Sequence, residues 1–378
     1  MLVILSSALL VIALLLFFAL RIPTLNISGY ISQNEKLAEI DQWLSKVHDN
    51  NKFNGTVLLS KHGSIVFEKS YGTSYLNEDK ALNGDSSFNL TSVSKQFTAM
   101  GIVILNSRRI IDYDDEIKKY LPELGFYGGV TIRHLMHHTS GIPDYMEVAI
   151  KNRYKSGVFT TLEMIELYEN KQPLADFSPG EKFKYSNAGY VLLAEIIARS
   201  SGKTFSEFLS DNIFIPLKMN NTQVFNMLSE KEPVMRVFGY SHKYWLFGGS
   251  KQKKDLNYFD GVAGDGGIYS SARDLKLWDA ALNEGKLVTN DQYSEAYSVG
   301  ILSDGSKTKY GFGWFINTDN TVEHSGGWQG FSSYIYRDLE NQDLIIILDN
   351  SSNAFRVNSI GFQFNSIGIN LKNAIRKL

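Results

Sequence analysis

The sequence contains no cysteine among its 378 residues. This absence excludes disulfide bonds, thiolate nucleophiles, cysteine-based zinc sites and lipid attachment to cysteine. It does not fix the compartment, because a domain of this size is stable without cross-links. An excess of one charge is also lacking, since 38 Lys and Arg oppose 40 Asp and Glu. Nucleic-acid-binding domains typically carry a basic patch or stripe, so this balance argues against a nucleic-acid partner.

Several catalytic signatures are missing as well. There is no G-x-S-x-G elbow, no H-E-x-x-H and no complete P-loop. His134, His137 and His138 have a spacing that could hold zinc on a helix, but no carboxylate nearby suggests itself as a further ligand. We therefore expect no metal site and no cofactor.

Long hydrophobic runs are rare, with one exception at the N-terminus. Leu2 to Leu20 contains no charged residue, and as a helix it would reach about 28 Å, close to the thickness of a bilayer core. The run is longer than the apolar region of a usual signal peptide, and no A-x-A site precedes Arg21. We expect residues 1–20 to form an uncleaved membrane anchor rather than a cleaved signal peptide. Residues 21–33 are then a polar tether, and residues 34–378 form one domain.

Apolar periodicity divides that domain into β-rich ends and a helical middle. The predicted strands are Gly55–Ser60, Ser64–Tyr71, Tyr310–Ile316, Val322–Ser325, Phe331–Tyr336 and Leu344–Leu348. The predicted helices cover residues 34–48, a buried segment that starts at Ser92, and residues 131–138, 161–169, 188–200, 204–213 and 271–283, with one more closing the chain. This order predicts an α+β fold, in which one sheet is built from both ends and a helical lobe is inserted at about residues 95–260.

The clearest chemical signal is Ser92-Val-Ser-Lys95. A serine hydroxyl is a weak nucleophile until a base removes its proton, and a lysine one helical turn later can reach it. The same S-x-x-K spacing recurs at Ser200, Ser250 and Ser306. Only Ser92 follows an extended run and opens a buried helix, where its lysine is removed from water. Context therefore selects Ser92 and Lys95.

Three further segments carry polar or glycine-rich patterns. Tyr185-Ser186-Asn187 precedes an apolar helix, although Tyr185 could equally be a partly buried aromatic residue. His324-Ser325-Gly326-Gly327 ends a predicted strand, where glycines would let a substrate approach the backbone. Gly264-Asp-Gly-Gly267 is a turn into a capped helix whatever the function is.

Together these segments resemble the serine β-lactamase-related family, which includes class C β-lactamases, penicillin-binding proteins, D-Ala-D-Ala carboxypeptidases and related esterases. The resemblance spans roughly residues 34–350, with the segments in the family's order. The matching segments are Ser92–Lys95, Arg133–Tyr145, Phe183–Tyr190, Gly264–Ser270 and His324–Gly327. It implies an antiparallel sheet flanked by helices, plus a helical lobe.

The resemblance also implies roles for individual residues. Ser92 would be acylated, and Lys95 and Tyr185 would share its proton. Asn187 would help to hold the substrate. The backbone N–H groups of Ser92 and Gly327 would form an oxyanion hole. The segment that would line the pocket from the sheet edge consists of His324, Ser325, Gly326 and Gly327.

His324 is a departure from the K-T-G sequence that many β-lactamases have at this position. A mostly neutral imidazole supplies no fixed positive charge for the carboxylate of a β-lactam or of D-alanine. It also gives little stabilisation to a phenolate at Tyr185. We therefore expect Lys95, neutral through burial, to take the Ser92 proton and Tyr185 to relay it to the leaving group. The departure shifts the expected substrate from β-lactams toward esters or unusual peptides.

The expected protein is thus a serine hydrolase acting on an amide or ester outside the cytoplasm, either membrane-anchored or secreted. Candidate substrates are D-amino-acid peptides, β-lactams and small esters. The alternative is a catalytically idle relative that binds peptidoglycan or a partner protein, against which the intact Ser92, Lys95 and Tyr185 argue. Substrate choice would depend on the rim formed by the loop 239–260, whose aromatic residues are Tyr240, Trp245, Phe247, Tyr258 and Phe259.

Overall fold

The computed structural model describes residues 22–74, 80–152, 154, 157–242, 250–351, 355–357 and 363–378. The expected anchor, residues 1–20, lies outside these ranges. Among the helices within them, none has the length and apolar character needed to cross a membrane.

The helices and the strands are numbered separately, each in chain order. The helices are α1 (Gln33–Asp49), α2 (Lys95–Ser107), α3 (Ile132–Met136), α4 (Tyr145–Lys151), α5 (Thr161–Lys171), α6 (Asn187–Ser201), α7 (Phe205–Leu209), α8 (Ala272–Glu284), α9 (Asn290–Ser294) and α10 (Ser366–Ile375). The strands are β1 (Gly55–Lys61), β2 (Ser64–Tyr71), β3 (Phe88–Asn89), β4 (Gln223–Val224), β5 (Tyr240–His242), β6 (Lys251–Lys253), β7 (Ile268–Ser270), β8 (Phe315–Ile316), β9 (Thr321–Trp328), β10 (Phe331–Asp338), β11 (Asp343–Asp349), β12 (Phe355–Val357) and β13 (Gln363–Asn365).

A six-stranded antiparallel sheet joins the two ends of the chain. Its strand order is β2-β1-β11-β10-β9-β8, so a strand from each end meets at its centre. Gly55 of β1 lies opposite Asp349 of β11, and Leu59 lies opposite Ile345. The predicted α+β fold, with one sheet built from both ends, is confirmed. The expected strand Tyr310–Ile316 is shorter than predicted, because the chain turns through Gly313, which has a φ of +79°.

Side chains of the central strands alternate between two hydrophobic cores, as the two-residue period of a strand requires. Leu58 and Ile346 face the core shared with the helical lobe and α8. Val57 and Ile347 face a second core that is covered by α1 and α10. This alternation fixes the register of the sheet, since a shift by one residue would exchange the two faces.

The described part of the expected tether packs on the domain. Ile22 and Ile27 are both buried in the second core. The backbone N–H of Leu25 donates to Asn370 Oδ1 in α10 at 2.6 Å, and the indole N–H of Trp43 donates to the carbonyl of Pro23 at 3.0 Å. The apolar residues of this segment are too few to show a periodicity in the sequence, but their burial holds the segment against the second core.

A buried ion pair connects α8 to β10. Arg337 donates from Nε to Asp279 Oδ1 at 2.7 Å, and both side chains are at most 3% exposed. Asn283 and Tyr297 accept further hydrogen bonds from the same guanidinium. The ion pair therefore holds α8 against β10, the strand that pairs with β9.

We expect Asp279→Ala to lower the free energy of unfolding by about 3–5 kcal/mol, because the Arg337 charge is left buried without its counter-ion. Urea unfolding followed by circular dichroism measures this loss. The matched control is Asp211→Ala, which removes the partner of Lys203 in an ion pair whose side chains are 47% and 49% exposed. We expect that control to cost at most about 1 kcal/mol, and equal losses for the two variants would contradict the prediction.

Candidate active site

Ser92 lies in a tight turn with a strained backbone. A 3₁₀ turn covers Thr91–Ser94 and leads directly into α2, so the helical segment begins one residue before the predicted start. Thr91 has a φ of +50°, a left-handed conformation that a β-branched residue rarely adopts. Its N–H donates to Asn89 Oδ1 at 2.8 Å, and its hydroxyl lies 3.1 Å from that of Ser333 in β10. These contacts hold the strained turn, which leaves Ser92 half-buried at a cavity.

Lys95 is fully buried below Ser92 and makes three polar contacts. Its Nζ lies 3.3 Å from Ser92 Oγ, 2.9 Å from Asn187 Oδ1 and 2.7 Å from the carbonyl oxygen of Asp265. An amide oxygen and a carbonyl oxygen can only accept hydrogen bonds. In an unprotonated Lys95 they would engage both N–H groups, and the lone pair would face the serine hydroxyl. This geometry suits removal of the Ser92 proton by Lys95.

Asn187 and Tyr185 come from the segment that opens α6. The N–H of Asn187 donates to Asp144 Oδ2 at 2.8 Å, which anchors the start of the helix beside Lys95. The Tyr185 ring centroid lies 4.9 Å from Lys95 Nζ, and its other side packs on His138 at 4.2 Å between ring centroids. The buried Tyr185 hydroxyl has no hydrogen-bond partner among the described residues. Tyr185 is not among the described residues that line the cavity, and its part in proton transfer stays a prediction.

The glycine-rich end of β9 lies directly against the Thr91–Ser94 turn. A Cβ on Gly326 would lie 1.8 Å from Thr91 Oγ1 and 2.7 Å from the backbone nitrogen of Ser92. Only glycine fits there, since such distances are well inside van der Waals contact. Gly327, the next residue, lines the same cavity as Ser92 and Asn187. The close approach explains the glycine at position 326.

We expect Gly326→Ala to displace the Thr91–Ser92 turn, which would lower the rate of Ser92 acylation and destabilise the fold by about 1–3 kcal/mol. Labelling by a fluorophosphonate probe, read beside urea unfolding, measures both effects. Gly128→Ala is the matched control, because a Cβ there meets no atom within 4 Å. Unchanged labelling of the Gly326 variant would show that the strand tolerates a side chain at this edge.

The structure does not bring the side chains of His324 and Ser325 to the cavity. His324 is 1% exposed. Its Nδ1 donates to the Ser325 carbonyl at 2.7 Å, and its Nε2 accepts from the Tyr310 hydroxyl at 2.9 Å. Burial lowers the pKa of His324 to about 3, so the imidazole is neutral. Its contacts favour a role in positioning the strand, and substrate binding by His324 and Ser325 stays a prediction.

A cavity of about 220 Å³ opens above Ser92. It is lined by Asn89, Thr91, Ser92, Tyr145, Met146, Asn187, Phe259, Asp260, Val262, Asp265, Gly266, Gly267, Gly327 and Trp328. Phe259 is the aromatic residue of the predicted rim that reaches it. Tyr240 is buried, Tyr258 is exposed, and Trp245 and Phe247 lie outside the described ranges.

Sequence reasoning missed two charged groups of this cavity, Asp260 and Asp265. Asp265 belongs to the glycine turn, which brings its backbone carbonyl to Lys95 and places the residue in the lining of the cavity. Asp260 carried no motif and lay unmarked among the loop aromatics. The position of Asp265 between three glycines was the one available signal, since a turn of that kind exposes its polar residue.

Comparisons with known proteins find relatives of this chain and structures that share its fold. A family model described as Beta-lactamase matches residues 40–359. Penicillin-binding protein 4* of Bacillus subtilis is 36% identical over 313 residues, which are 80% of this chain and 69% of the relative. The octameric penicillin-binding protein homologue from Pyrococcus abyssi superposes with a TM-score of 0.73 at 26% identity, covering 84% of this chain and 74% of that one. D-amino acid amidase from Ochrobactrum anthropi, complexed with D-phenylalanine, has a TM-score of 0.72 at 22% identity, covering 91% and 98%.

Proposed function

Since this chain belongs to the Beta-lactamase family, we propose that it is a serine hydrolase that forms an acyl-enzyme on Ser92. The observation that carries the proposal is the position of Lys95. Its Nζ is 3.3 Å from the Ser92 hydroxyl, and two groups that can only accept hydrogen bonds occupy its other directions. A buried amine held in this way is a general base aimed at a nucleophile.

The reaction follows from that arrangement. Lys95 takes the Ser92 proton while Oγ bonds to the substrate carbonyl carbon, and the carbonyl oxygen becomes an oxyanion facing the N–H groups of Ser92 and Gly327. The bond to the leaving nitrogen or oxygen then breaks. The proton that Lys95 took passes through the free Tyr185 hydroxyl to that leaving atom. Water next attacks the ester on Ser92, releases the acid and returns a proton to Oγ.

The proposed substrates are amides and esters such as a D-amino-acid peptide, a β-lactam or a small ester. The similarity to a penicillin-binding protein and to a D-amino acid amidase supports this range. Gly327 and Asn187 would hold the substrate at the strand edge, where both line the cavity. A location outside the cytoplasm, membrane-anchored or secreted, is part of the proposal and rests on the hydrophobic run Leu2 to Leu20 and on the same relatives.

A hydrolysis screen tests this function. The purified domain is offered p-nitrophenyl esters of short acids, a cephalosporin and a D-Ala-D-Ala peptide, and fluorophosphonate labelling is measured in parallel. We expect turnover of at least one substrate and labelling on Ser92. A folded protein that binds peptidoglycan, turns over none of them and leaves Ser92 unlabelled would be the idle module instead.

A further inference from the structure

The cavity beside Ser92 is lined by acidic side chains. Two of the described residues that line it are ionisable carboxylic acids, Asp260 and Asp265, and none of them is Lys, Arg or His. Neither carboxyl belongs to a salt bridge within the described part of the chain. Buried carboxylates are ordinarily paired with a cation. This pair lies beside the proposed nucleophile, in a space that a substrate has to enter.

Asp260 is held in a fixed position by donors from two segments. The indole N–H of Trp328, just after the glycine-rich edge, donates to Oδ1 at 2.7 Å. The N–H of Asn257 donates to Oδ2 at 2.6 Å. Burial nevertheless raises the pKa of Asp260 to about 6, and the neighbouring Asp265 and Asp255 add to the rise. Two neutral donors therefore orient the carboxylate but do not replace its lost hydration.

Asp265 faces the same space from the glycine turn. Its Oδ2 accepts a hydrogen bond from the Tyr145 hydroxyl at 3.3 Å. Burial raises the pKa of this carboxyl. Lys95 contacts the backbone carbonyl of Asp265 rather than its carboxylate. Lys95 therefore occupies neither carboxylate oxygen of Asp265.

The remaining walls are aromatic. Phe259 packs edge-on against Tyr145 at 5.8 Å between ring centroids, and Trp328 adds an indole on the side of β9. Aromatic faces attract cations, and most strongly where water is excluded. Since an apolar cavity of roughly 150 Å³ binds a single benzene ring, the 220 Å³ here accommodates an acyl group about the size of one amino acid residue.

We propose that this site selects acyl groups that carry a protonated primary amine, which Asp260 and Asp265 receive between the aromatic walls. The substrate class is amides or esters of amino acids with a free amino group, including peptides cleaved after their N-terminal residue. The inference rests on the proposed hydrolase function and narrows it. A β-lactam, or a substrate whose acyl group carries a carboxylate, would meet two negative charges in this cavity. The described lining offers no cation to pair with that carboxylate.

Matched substrates test the selection directly. The D and L forms of phenylalanine p-nitroanilide are compared with their N-acetyl derivatives at pH 7, where an α-amino group is mostly protonated. We expect kcat/KM for the free amine to exceed that for the N-acetyl compound by about 10- to 100-fold in at least one enantiomer. In Asp260→Asn that ratio falls toward one, because an asparagine side chain carries no negative charge to pair with the amine.

The controls distinguish failure of the amine selection from failure of the proposed hydrolase function. Asp304→Asn, on an exposed loop, keeps the wild-type ratio. If Asp260→Asn does not fold, Asp265→Asn carries the same expectation, and the wild-type ratio decides by itself. An enzyme that is labelled on Ser92 and hydrolyses p-nitrophenyl butyrate, but prefers or equally accepts the N-acetyl compounds, overturns the selection alone. A wild-type protein that is neither labelled nor active overturns the hydrolase proposal, and this inference with it.

Discussion

Replacing Ser92 by alanine is expected to lower kcat by roughly 10⁴- to 10⁶-fold, the loss typical of removing a serine nucleophile. The hydroxyl is the atom that bonds to the substrate, so no neighbouring group can take over its part. The half-buried side chain of Ser92 makes one long hydrogen bond, with Lys95, so its removal should leave the urea midpoint almost unchanged. Initial rates on the best substrate of the screen, together with that midpoint, measure the effect.

The matched control is Ser306→Ala. Ser306 begins another S-x-x-K sequence, ending at Lys309, but both residues are exposed and far from any helix start. We expect this variant to keep full activity. An alanine variant at Ser92 that retains more than about a tenth of the wild-type rate would mean that the acyl group is carried elsewhere.

Lys95→Met is expected to slow acylation by about 10²- to 10⁴-fold, the usual contribution of a positioned base. Methionine keeps much of the buried stem but removes the amine that contacts Ser92 Oγ. Tyr185→Phe should behave differently, because its hydroxyl serves the leaving group. Its loss should be small on a p-nitrophenyl ester, whose leaving group needs no proton, and larger on an amide. Rapid-mixing measurements of acylation on both substrates separate the two roles.

Lys309→Met, at an exposed site, controls for the loss of a lysine elsewhere. The assignment of the base is wrong if Lys95→Met acylates at a near-normal rate while Tyr185→Phe does not acylate at all. In that case the unpartnered phenol, and not the amine, would take the serine proton.

The meeting of Ser92 with Lys95 was predictable because it depends on local geometry. Two residues that are three positions apart on a helical segment have their side chains on one face, whatever the rest of the fold is. The 3.3 Å contact between Lys95 Nζ and Ser92 Oγ fits that prediction. The contact with Asn187, 92 residues further along the chain, could be expected only from the family resemblance.

Long-range effects explain the differences between prediction and structure. The family resemblance implies that His324 lines the pocket, but the alternation of β9 turns its ring into the core toward Tyr310. Asp260 reaches the cavity through its hydrogen bond with Trp328, 68 residues away, which no local pattern encodes. In the same way, the docking of Ile22 and Ile27 depends on a surface made by α1 and α10.

Strain at Thr91 was equally invisible in the sequence. Nothing about a threonine predicts a φ of +50°, and the conformation persists because Asn89, Ser333 and the bare Gly326 surround it. Local propensity disagrees with the tertiary structure at the residue before the proposed nucleophile. Such disagreement is expected where a fold holds a reactive group in place.

Trapping the acyl-enzyme tests the central claim most directly. The wild-type protein is quenched in acid during turnover of its best substrate, digested, and analysed by mass spectrometry. We predict a peptide containing Ser92 that is heavier by the acyl group, absent from the Ser92→Ala protein and accumulating when deacylation is slowed. Steady turnover with an unmodified Ser92 peptide at every quench time would contradict the account.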